Sequence, residues 1–165
     1  MSDYTARDID VLEGLEPVRK RPGMYIGGTG LDGYHHLLWE VVDNAVDEYI
    51  MGFGNKVEIT VTETKVTVRD YGRGIPLGKV VDCVSRINTG AKYNDDVFQF
   101  SVGLNGVGTK AVNALSSSFT VQSHRDSKSA GATFTRGELL KKLSGKCPKE
   151  PNGTLIEFEP DPEIF

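Results

Sequence analysis

The chain has 165 residues and a mass of 18.0 kDa, the size of one domain with a single core. Its 23 acidic and 19 basic side chains give a net charge of −4, which disfavours direct DNA binding because domains that grip a phosphate backbone alone are usually basic. The two cysteines lack a CxxC spacing, so neither a disulfide framework nor a zinc knuckle is indicated. No apolar run is long enough to cross a bilayer and the start, MSDYTARDID, is no signal peptide, so a cytoplasmic location is expected.

The first third of the chain predicts helices. Glu16-Pro17 followed by VRKR indicates a short helix with proline in its first turn, and Arg21-Pro22-Gly23 ends it. The strongest helical pattern runs from about 34 to 51 and stops at Gly52. Its apolar positions form one broad face: 37, 38, 41, 42, 45, 46 and 49.

The remaining elements are mostly strands. KVEITVT (56–62) and KVTVRD (65–70) alternate with the strand period and predict a hairpin, and three more strands are expected over 118–124, 132–136 and 154–159. Between them, 77–87 and 107–115 read as helices and 89–101 as a loop. With helices early and strands paired by hairpins, we expect an α+β fold: a two-layer sandwich in which helices cover one face of one mostly antiparallel sheet.

Polar residues on the long helix form the first candidate site. At about 100° per residue, His36, Glu40, Asp43, Asn44 and Asp47 fall on the side opposite the apolar face. The simplest interpretation is a solvated stripe. Like charges at i,i+3 and i,i+4 are mildly destabilising, however, and no basic residue of this helix offsets them, which favours a bound cation. Carboxylate and amide oxygens suit Mg²⁺, and a glutamate one turn from the asparagine is placed to activate a water.

The segment DYGRGIP (70–76) forms the second candidate site. The simplest interpretation is a strand that ends in a Gly/Pro turn. The alternative is a pocket, because two glycines permit close approach of a flat ligand and Ile75-Pro76 offer a rigid apolar wall. Asp70 at the strand end is then placed to accept a hydrogen bond from an exocyclic amine such as that of adenine. Arg73 is available for stacking or for a salt bridge at the rim.

A glycine-rich stretch, SVGLNGVGTK (101–110), forms the third. Gly103, Gly106 and Gly108 let successive N–H groups point at one spot, and the predicted helix adds its partial positive end, so the stretch is a candidate anion cradle. A flexible linker explains the same residues, because the pattern is neither a Walker A motif nor a dinucleotide fingerprint. Lys110 either steers phosphate or is solvated. Together, the three candidate sites are the parts that a nucleotide triphosphate requires.

Longer motifs carry a family resemblance over essentially the whole chain. They are GLEPVRKRPGMYIG (14–27), EVVDNAVDE (40–48), DYGRGIP (70–76), TGAKY (89–93), GLNGVGTKAVNALS (103–116) and GT (153–154). In these segments the chain resembles the ATPase domain of bacterial type IIA topoisomerases, as in the gyrase B subunit and the topoisomerase IV ATPase subunit, within the GHKL superfamily of Hsp90 chaperones, histidine kinases and MutL. The resemblance implies a Bergerat-type sandwich, with residues 1–165 as a single N-terminal ATPase domain.

Roles for individual residues follow from the resemblance. It implies that Glu40 is the general base for the water that attacks the γ-phosphate of ATP, that His36 orients it, and that Asn44 is the Mg²⁺ ligand. Asp70 matches the residue that receives the adenine amine, with Thr154 as a hydroxyl sharing a bridging water. The other positions assigned to nucleotide binding are Asp47, Gly72, Arg73, Ile75, Pro76, Lys92, Phe98, Gly103, Leu104, Asn105, Gly106, Val107, Gly108 and Thr109.

The resemblance also implies partners. Gly72, Arg73, Ile75 and Pro76 match a pocket that receives aminocoumarin-type inhibitors in this family. Tyr4 keeps the spacing of an N-terminal arm that reaches the ATP site of a second copy, so nucleotide-linked dimerisation is implied. In the intact enzyme, ATP binding closes a dimer gate while a partner subunit cuts DNA, so DNA is reached only through the full-length enzyme.

Three departures from the family pattern are visible. Phe98 stands where gyrase-like members often have a tyrosine, Asn105 replaces a common histidine, and the stretch from Pro76 to Lys92 is shorter than in gyrase B subunits. The latter two favour a topoisomerase IV-like or divergent member. The family's second domain, which supplies a lysine to the γ-phosphate, would follow Phe165, so we expect this chain to bind ATP but to turn it over poorly. Two other functions remain open: a switch that uses ATP only to dimerise, and a chaperone-type ATPase.

Overall fold

A computed structural model describes residues 14–86, 108–147 and 149–165. The helices in these ranges are α1 (Glu16–Lys20), α2 (Gly23–Ile26), α3 (Leu31–Ile50), α4 (Val80–Ser85) and α5 (Gly108–Ala114), with a 3-10 turn at Leu77–Lys79 before α4. The strands are β1 (Val57–Val61), β2 (Val66–Asp70), β3 (Ser116–Arg125), β4 (Lys128–Thr135), β5 (Glu138–Lys146) and β6 (Gly153–Pro160).

All the strand pairs in the described part of the chain are antiparallel, and they form one sheet in the order β1-β2-β6-β3-β4-β5. The predicted hairpin is confirmed: β1 pairs with β2, and Thr62 and Lys65 close the turn with a backbone bond of 2.8 Å between Thr62 N and Lys65 O. Strand β6 lies between β2 and β3, which brings the end of β2 beside the start of β6. The expected α+β sandwich is therefore confirmed.

The core lies between the sheet and the helices. Buried side chains come from the inner strands of the sheet, among them Val68 of β2, Phe119 and Val121 of β3 and Phe158 of β6. From the helical layer, α3 contributes Leu37, Val41 and Ala45, and α5 contributes Ala111 and Val112. The period of two in the strands and the broad apolar stripe of α3 thus meet in one hydrophobic layer.

Two expectations about the fold were wrong. Tyr49, placed by periodicity on the apolar face of α3, is 64% exposed, because periodicity gives a residue's direction on the helix but not whether anything covers it there. Strand β5 was not predicted. Its sequence, ELLKKLSGK, has no apolar alternation, since it is an edge strand whose side chains are nearly all exposed and whose lysines discourage further strand pairing.

Among the described helices, none has the length and apolar character that a membrane-spanning segment requires.

Asp161 joins the end of the chain to three other segments. It is fully buried and accepts bonds from Arg19 Nη1 at 3.0 Å, from Arg136 Nε at 2.9 Å and from the backbone N of Glu163 at 3.0 Å. Its own backbone N donates to Leu115 O, just after α5, at 2.9 Å. Burial by itself raises the pKa of Asp161, but the bonds from Glu163, Arg136 and Arg19 outweigh it and lower the pKa below the ordinary aspartate value.

Replacing this carboxylate tests its contribution to stability. Asp161→Asn is expected to lower the free energy of unfolding at pH 7 by about 1–3 kcal/mol, because two guanidinium groups lose their charged acceptor. A lowered folded-state pKa stabilises above the unfolded pKa, and this stabilisation is lost as pH falls through the folded value, so the difference from wild type should shrink in acid. Urea unfolding at several pH values measures both effects.

Glu163→Gln is the matched control, since Glu163 meets the same Arg136 at 3.3 Å but is largely exposed. It should change the free energy of unfolding by no more than about 0.5 kcal/mol. Equal effects of the two substitutions would contradict the assignment of Asp161 as the buried anchor.

Candidate nucleotide site

Three polar residues of α3, Glu40, Asn44 and Glu48, follow one another at intervals of four and so share one face of the helix. At the first of these positions, His36 Nε2 lies 2.8 Å from Glu40 Oε1. The side chain of His36 is 41% exposed and that of Glu40 is 25% exposed. The predicted His–Glu contact is thus present, and it leaves the carboxylate open to solvent on one side.

The start of α5 lies against this face of α3. Asn44 Nδ2 donates both to Thr109 Oγ1 and to the backbone O of Glu40, the latter at 3.2 Å. A Cβ at Gly108 would clash with Glu40 Oε2, so only glycine allows the backbone to approach that carboxylate so closely. The end of the glycine-rich stretch and the polar face of α3 are therefore in direct contact.

Asp70 lies at the end of β2, near the last turn of α3. Its Oδ1 accepts the backbone N–H of Gly72 at 3.0 Å and that of Thr154 at 3.1 Å, and the residue is only 9% exposed. Burial raises the pKa of Asp70, while the two backbone bonds partly oppose the shift. Both bonds use one oxygen, and within the described ranges no bond is formed by Oδ2.

The turn after β2 is held by Glu48. Arg73 Nη2 donates to Glu48 Oε1 at 2.8 Å, and Arg73 N and Nε donate to Oε2 at 2.9 and 3.1 Å. The guanidinium also stacks over Phe53, with its carbon 4.2 Å from the ring centre. A Cβ at Gly72 would lie 2.7 Å from Glu48 Oε2, so this glycine permits the close approach of the turn to the helix. The expected salt bridge of Arg73 is present.

A cavity of about 130 Å³ opens beside Asp70. It lies between the last turns of α3, the segment leading into β1 and the turn after β2. Its walls combine apolar and backbone surface with the Asp70 carboxylate, as binding a flat, partly polar ring requires. The lining residues are Ala45, Val46, Tyr49, Phe53, Gly54, Asn55, Lys56, Val57, Asp70, Tyr71 and Gly72.

Of the other predicted site residues, three lie within the described ranges and the rest lie outside them. Thr154 contacts Asp70 through its backbone N–H. Ile75 is partly buried and its backbone O accepts from Ser123 Oγ at 2.6 Å, while Pro76 is exposed. Tyr4, Lys92, Phe98, Gly103, Leu104, Asn105, Gly106 and Val107 lie outside the described residues.

Two charged residues are buried, which the sequence did not indicate. Asp47 was assigned to the polar side of the long helix, but it is 1% exposed and belongs to the interior. Lys110 was expected either to steer phosphate or to be solvated, and it is 2% exposed, which excludes the solvated alternative. A helical projection gives the direction of each side chain but shows nothing of what packs against it.

Sequence reasoning gave no role to Glu48, which holds Arg73 and borders Gly72. A signal was present, because Glu40, Asn44 and Glu48 are spaced by four, but the partner lies on a turn that only the packing of β2 against α3 brings near. Ser123, which supports the backbone of Ile75 from β3, left no recognisable signal in the sequence.

A sandwich of this kind, whose polar helix face meets a glycine-rich helix start and whose neighbouring strand ends in a buried carboxylate, defines the class of nucleotide-binding ATPase domains. Residues 30–161 match the sequence pattern of the histidine kinase-, DNA gyrase B-, and HSP90-like ATPases, and the chain belongs to that family.

Its relatives include topoisomerase subunits. The chain is 55% identical to the B subunit of DNA topoisomerase 4 from Borreliella burgdorferi, over 99% of this chain and 28% of that protein. It is 44% identical to the B subunit of DNA gyrase from Thermus thermophilus, over 98% of this chain and 27% of that protein. The chain thus spans little more than a quarter of the length of these relatives.

A solved structure is similar as well. The crystal structure of the 43K ATPase domain of Thermus thermophilus gyrase B in complex with an aminocoumarin matches with a TM-score of 0.73 and 40% identity. The match covers 92% of this chain and 40% of that one.

The raised pKa of Asp70 makes its charge a cost to the empty fold. Asp70→Asn is therefore expected to raise the midpoint temperature of unfolding at pH 7, since an amide oxygen still accepts the two backbone N–H groups. Because the folded-state pKa lies above the unfolded one, the advantage of the variant should grow as pH rises through the folded value and vanish below the unfolded one. Thermal unfolding of both proteins between pH 3 and about 8 checks this.

Asp126→Asn is the matched control, because it removes the same charge from an exposed turn residue. It should leave the midpoint temperature nearly unchanged across the same range. If Asp70→Asn were instead destabilised at pH 7, burial of the Asp70 charge would not be the cost inferred from its raised pKa.

Proposed function

We propose that residues 1–165 form the N-terminal ATP-binding domain of the ATPase subunit of a type IIA DNA topoisomerase. The observation that carries the proposal is that one face of α3 reaches both candidate ends of the site. Glu40 on this face lies against Gly108 at the start of α5, and Glu48, two turns further, holds the turn whose Gly72 N–H binds Asp70. The family match and the topoisomerase relatives support the same conclusion.

The adenine end of the site is assigned to Asp70. Its Oδ1 is oriented by the N–H groups of Gly72 and Thr154, which leaves Oδ2 to accept the exocyclic amine of adenine. Gly72 has no side chain that would block the approach of a ligand to the backbone. The Arg73–Glu48 ion pair fixes the turn against α3. Ile75 and Pro76 contribute the apolar side of this end, where ATP-site inhibitors of the aminocoumarin type would also bind.

The hydrolytic end is assigned to Glu40. Its carboxylate is partly exposed and hydrogen-bonded on one oxygen to His36, so the ring restricts its direction while the other oxygen faces the backbone of Gly108. A carboxylate held this way takes a proton from a water molecule as that water attacks the γ-phosphate. His36 positions the base, and Gly108 with Thr109 begins the wall on which the phosphates lie, continued by the assigned residues 103–107.

Asn44 fits a magnesium ion by the chemistry of its side chain. Its amide nitrogen donates to Thr109 Oγ1 and to the backbone O of Glu40, which orients the carbonyl Oδ1, a hard oxygen ligand. Bound Mg²⁺ would neutralise charge on the triphosphate. Asn44 would hold the ion through Oδ1, and Thr109 would keep the amide from rotating.

Replacement of the general base separates hydrolysis from binding. Glu40→Gln in the full-length subunit is expected to reduce kcat by about 100-fold or more while leaving the affinity for ATP within a few-fold of wild type, because the amide keeps the shape but takes no proton. Steady-state turnover and calorimetric titration with a non-hydrolysable ATP analogue measure the two quantities. Asp70→Asn should instead lower the affinity for ATP, by about tenfold or more.

The rival function, a switch that uses ATP only to dimerise, gives Glu40 no chemical part. It would be favoured if Glu40→Gln hydrolysed ATP at the wild-type rate. A chaperone-type role would be favoured if the full-length protein, with its DNA-cleaving partner, left supercoiled DNA unchanged in the presence of ATP.

The magnesium assignment makes a separate prediction. Asn44→Ala should lose most of the Mg²⁺-dependent gain in nucleotide affinity and leave the affinity measured in EDTA nearly unchanged, since only the ion's ligand is removed. Thr109→Val is the comparison variant: it removes the hydroxyl that orients the Asn44 amide but no oxygen assigned to the metal, so it should lose only part of the Mg²⁺-dependent gain. Calorimetric titrations with and without Mg²⁺ compare them. Equal Mg²⁺ dependence in wild type and Asn44→Ala would contradict the assignment.

The parent enzyme is proposed to resemble topoisomerase IV more than gyrase. Identity to the Borreliella burgdorferi topoisomerase 4 subunit is 55%, against 44% to the Thermus thermophilus gyrase subunit. Nucleotide-linked pairing of two copies, with Tyr4 of each reaching the other's site, belongs to the same proposal. The reconstituted enzyme should decatenate linked DNA circles without introducing negative supercoils, and ATP-dependent supercoiling would overturn this assignment.

A further inference from the structure

A thiol and an imidazole meet on the face of the sheet away from the helices. Cys147, just after β5, places its Sγ 3.4 Å from Nδ1 of His124 on β3. His124 points away from the core, since Val121 and Ser123 on the same strand alternate with it and face the helices. Arg69 of β2 reaches the same face and carries a positive charge that acts on His124. None of these three side chains has a part in the function proposed above.

The surroundings keep the imidazole neutral. Burial lowers the pKa of His124, and the charge of Arg69 lowers it further, while Glu150 acts in the opposite direction. The ring is therefore uncharged at physiological pH and has one nitrogen with a lone pair. In the tautomer with the proton on Nε2, that lone pair is on Nδ1, which faces the thiol. The half-buried thiol still has a surface from which a small molecule can approach.

We propose that Cys147 is a nucleophilic thiol, with His124 as its base, that exchanges with small aliphatic disulfides and thereby weakens nucleotide binding. The Sγ–H proton passes to His124 Nδ1 as the sulfur attacks one sulfur of the disulfide. A new S–S bond forms to Cys147, the original S–S bond breaks, and the second sulfur leaves as a thiolate that takes the proton from the imidazole. Electrons and protons balance, and a free thiol reverses the step.

The link to the nucleotide site runs through the segment after Cys147. The backbone O of Cys147 accepts from Glu150 N at 3.0 Å, and Arg69 Nη2 donates to Glu150 Oε1 at 3.1 Å and to Pro151 O at 2.6 Å. Arg69 also donates to the backbone O of Asp70.

Gly153 packs against Arg69 with no room for a side chain, and the next residue, Thr154, supplies one of the two N–H groups on the Asp70 carboxylate. An adduct at Cys147 displaces this segment and so disturbs the adenine end. This part of the inference rests on the proposed function.

The chain contains its own reference thiol. Cys83 on α4 is also half-buried, but burial raises its pKa, and none of its described contacts is an imidazole. Cys147 is therefore expected to undergo thiol–disulfide exchange faster than Cys83, by a larger factor than their similar exposure would explain.

The first experiment measures exchange at each thiol. The chain is treated with oxidised glutathione between pH 6 and about 8.5, and the adduct at each cysteine is followed by peptide mass spectrometry. Cys147 should react about tenfold or more faster than Cys83 at pH 7. As the pH is lowered, the exchange rate of Cys147 should fall by much less than tenfold for each pH unit. Equal rates, or a tenfold fall per unit as for an unassisted thiol, would overturn the proposal.

The same measurement on His124→Gln in a Cys83→Ser background should show a rate about tenfold lower at pH 7 and the full pH slope of an ordinary thiol. An unchanged rate and slope would overturn the role of His124. The pH profile of the wild-type chain tests the same role if this variant does not fold.

A second experiment tests the link. Nucleotide affinity of the Cys83→Ser chain is measured by calorimetry before exchange, after exchange and after reduction. A reversible loss of about threefold or more supports the link, with Cys147→Ser unaffected by the same treatment. If Cys147 exchanges but the affinity for nucleotide does not change, the proposed link between Cys147 and the nucleotide site is overturned. Failure of the untreated chain to bind ATP would instead count against the proposed function, and the exchange rates would still decide the reactivity of the thiol.

Discussion

The spacing of Glu40, Asn44 and Glu48 on α3 is the constraint on which the rest of the site depends. Residues four apart lie one turn above another, so a single rigid helix presents three polar groups in a row at defined heights. The first two contact the start of α5 and the third holds the turn after β2. Two segments far apart in the chain are thereby positioned relative to each other by one helix, whose adjacent face is anchored in the core by Leu37, Val41 and Ala45.

Asp70 shows how the site and the stability of the empty domain oppose each other. A carboxylate that is 9% exposed is held in place by two backbone N–H groups, yet its pKa is raised, so the bonds only partly compensate for burial. Asp161 is also buried, but its pKa is lowered, because the backbone N–H of Glu163 and the guanidinium groups of Arg136 and Arg19 together outweigh the effect of burial. The difference lies in the partners: Asp161 has two guanidinium partners within the fold, whereas the hydrogen bonds to the Asp70 carboxylate come from backbone N–H groups alone.

The last two residues of β2 place their side chains on opposite faces of the sheet. Asp70 points toward the helices and the cavity, while Arg69, one residue earlier, points to the other face and contacts Glu150 and Pro151. Alternation along a strand thus places a buried carboxylate and a buried guanidinium back to back. The strand order, with β6 between β2 and β3, then brings Thr154 to Asp70 and His124 close to Arg69.

The fold class, the long helix and the hairpin could be predicted from residue patterns, because helical and strand periods are local properties of the chain. The burial of Asp47 and Lys110, the contact of Glu48 with Arg73 and the strand formed by the lysine-rich β5 could not be predicted in this way. A periodic pattern gives the direction of each side chain from its own element. What lies in that direction depends on elements distant in the chain, which meet only when the apolar faces of α3, α5 and the sheet are buried together.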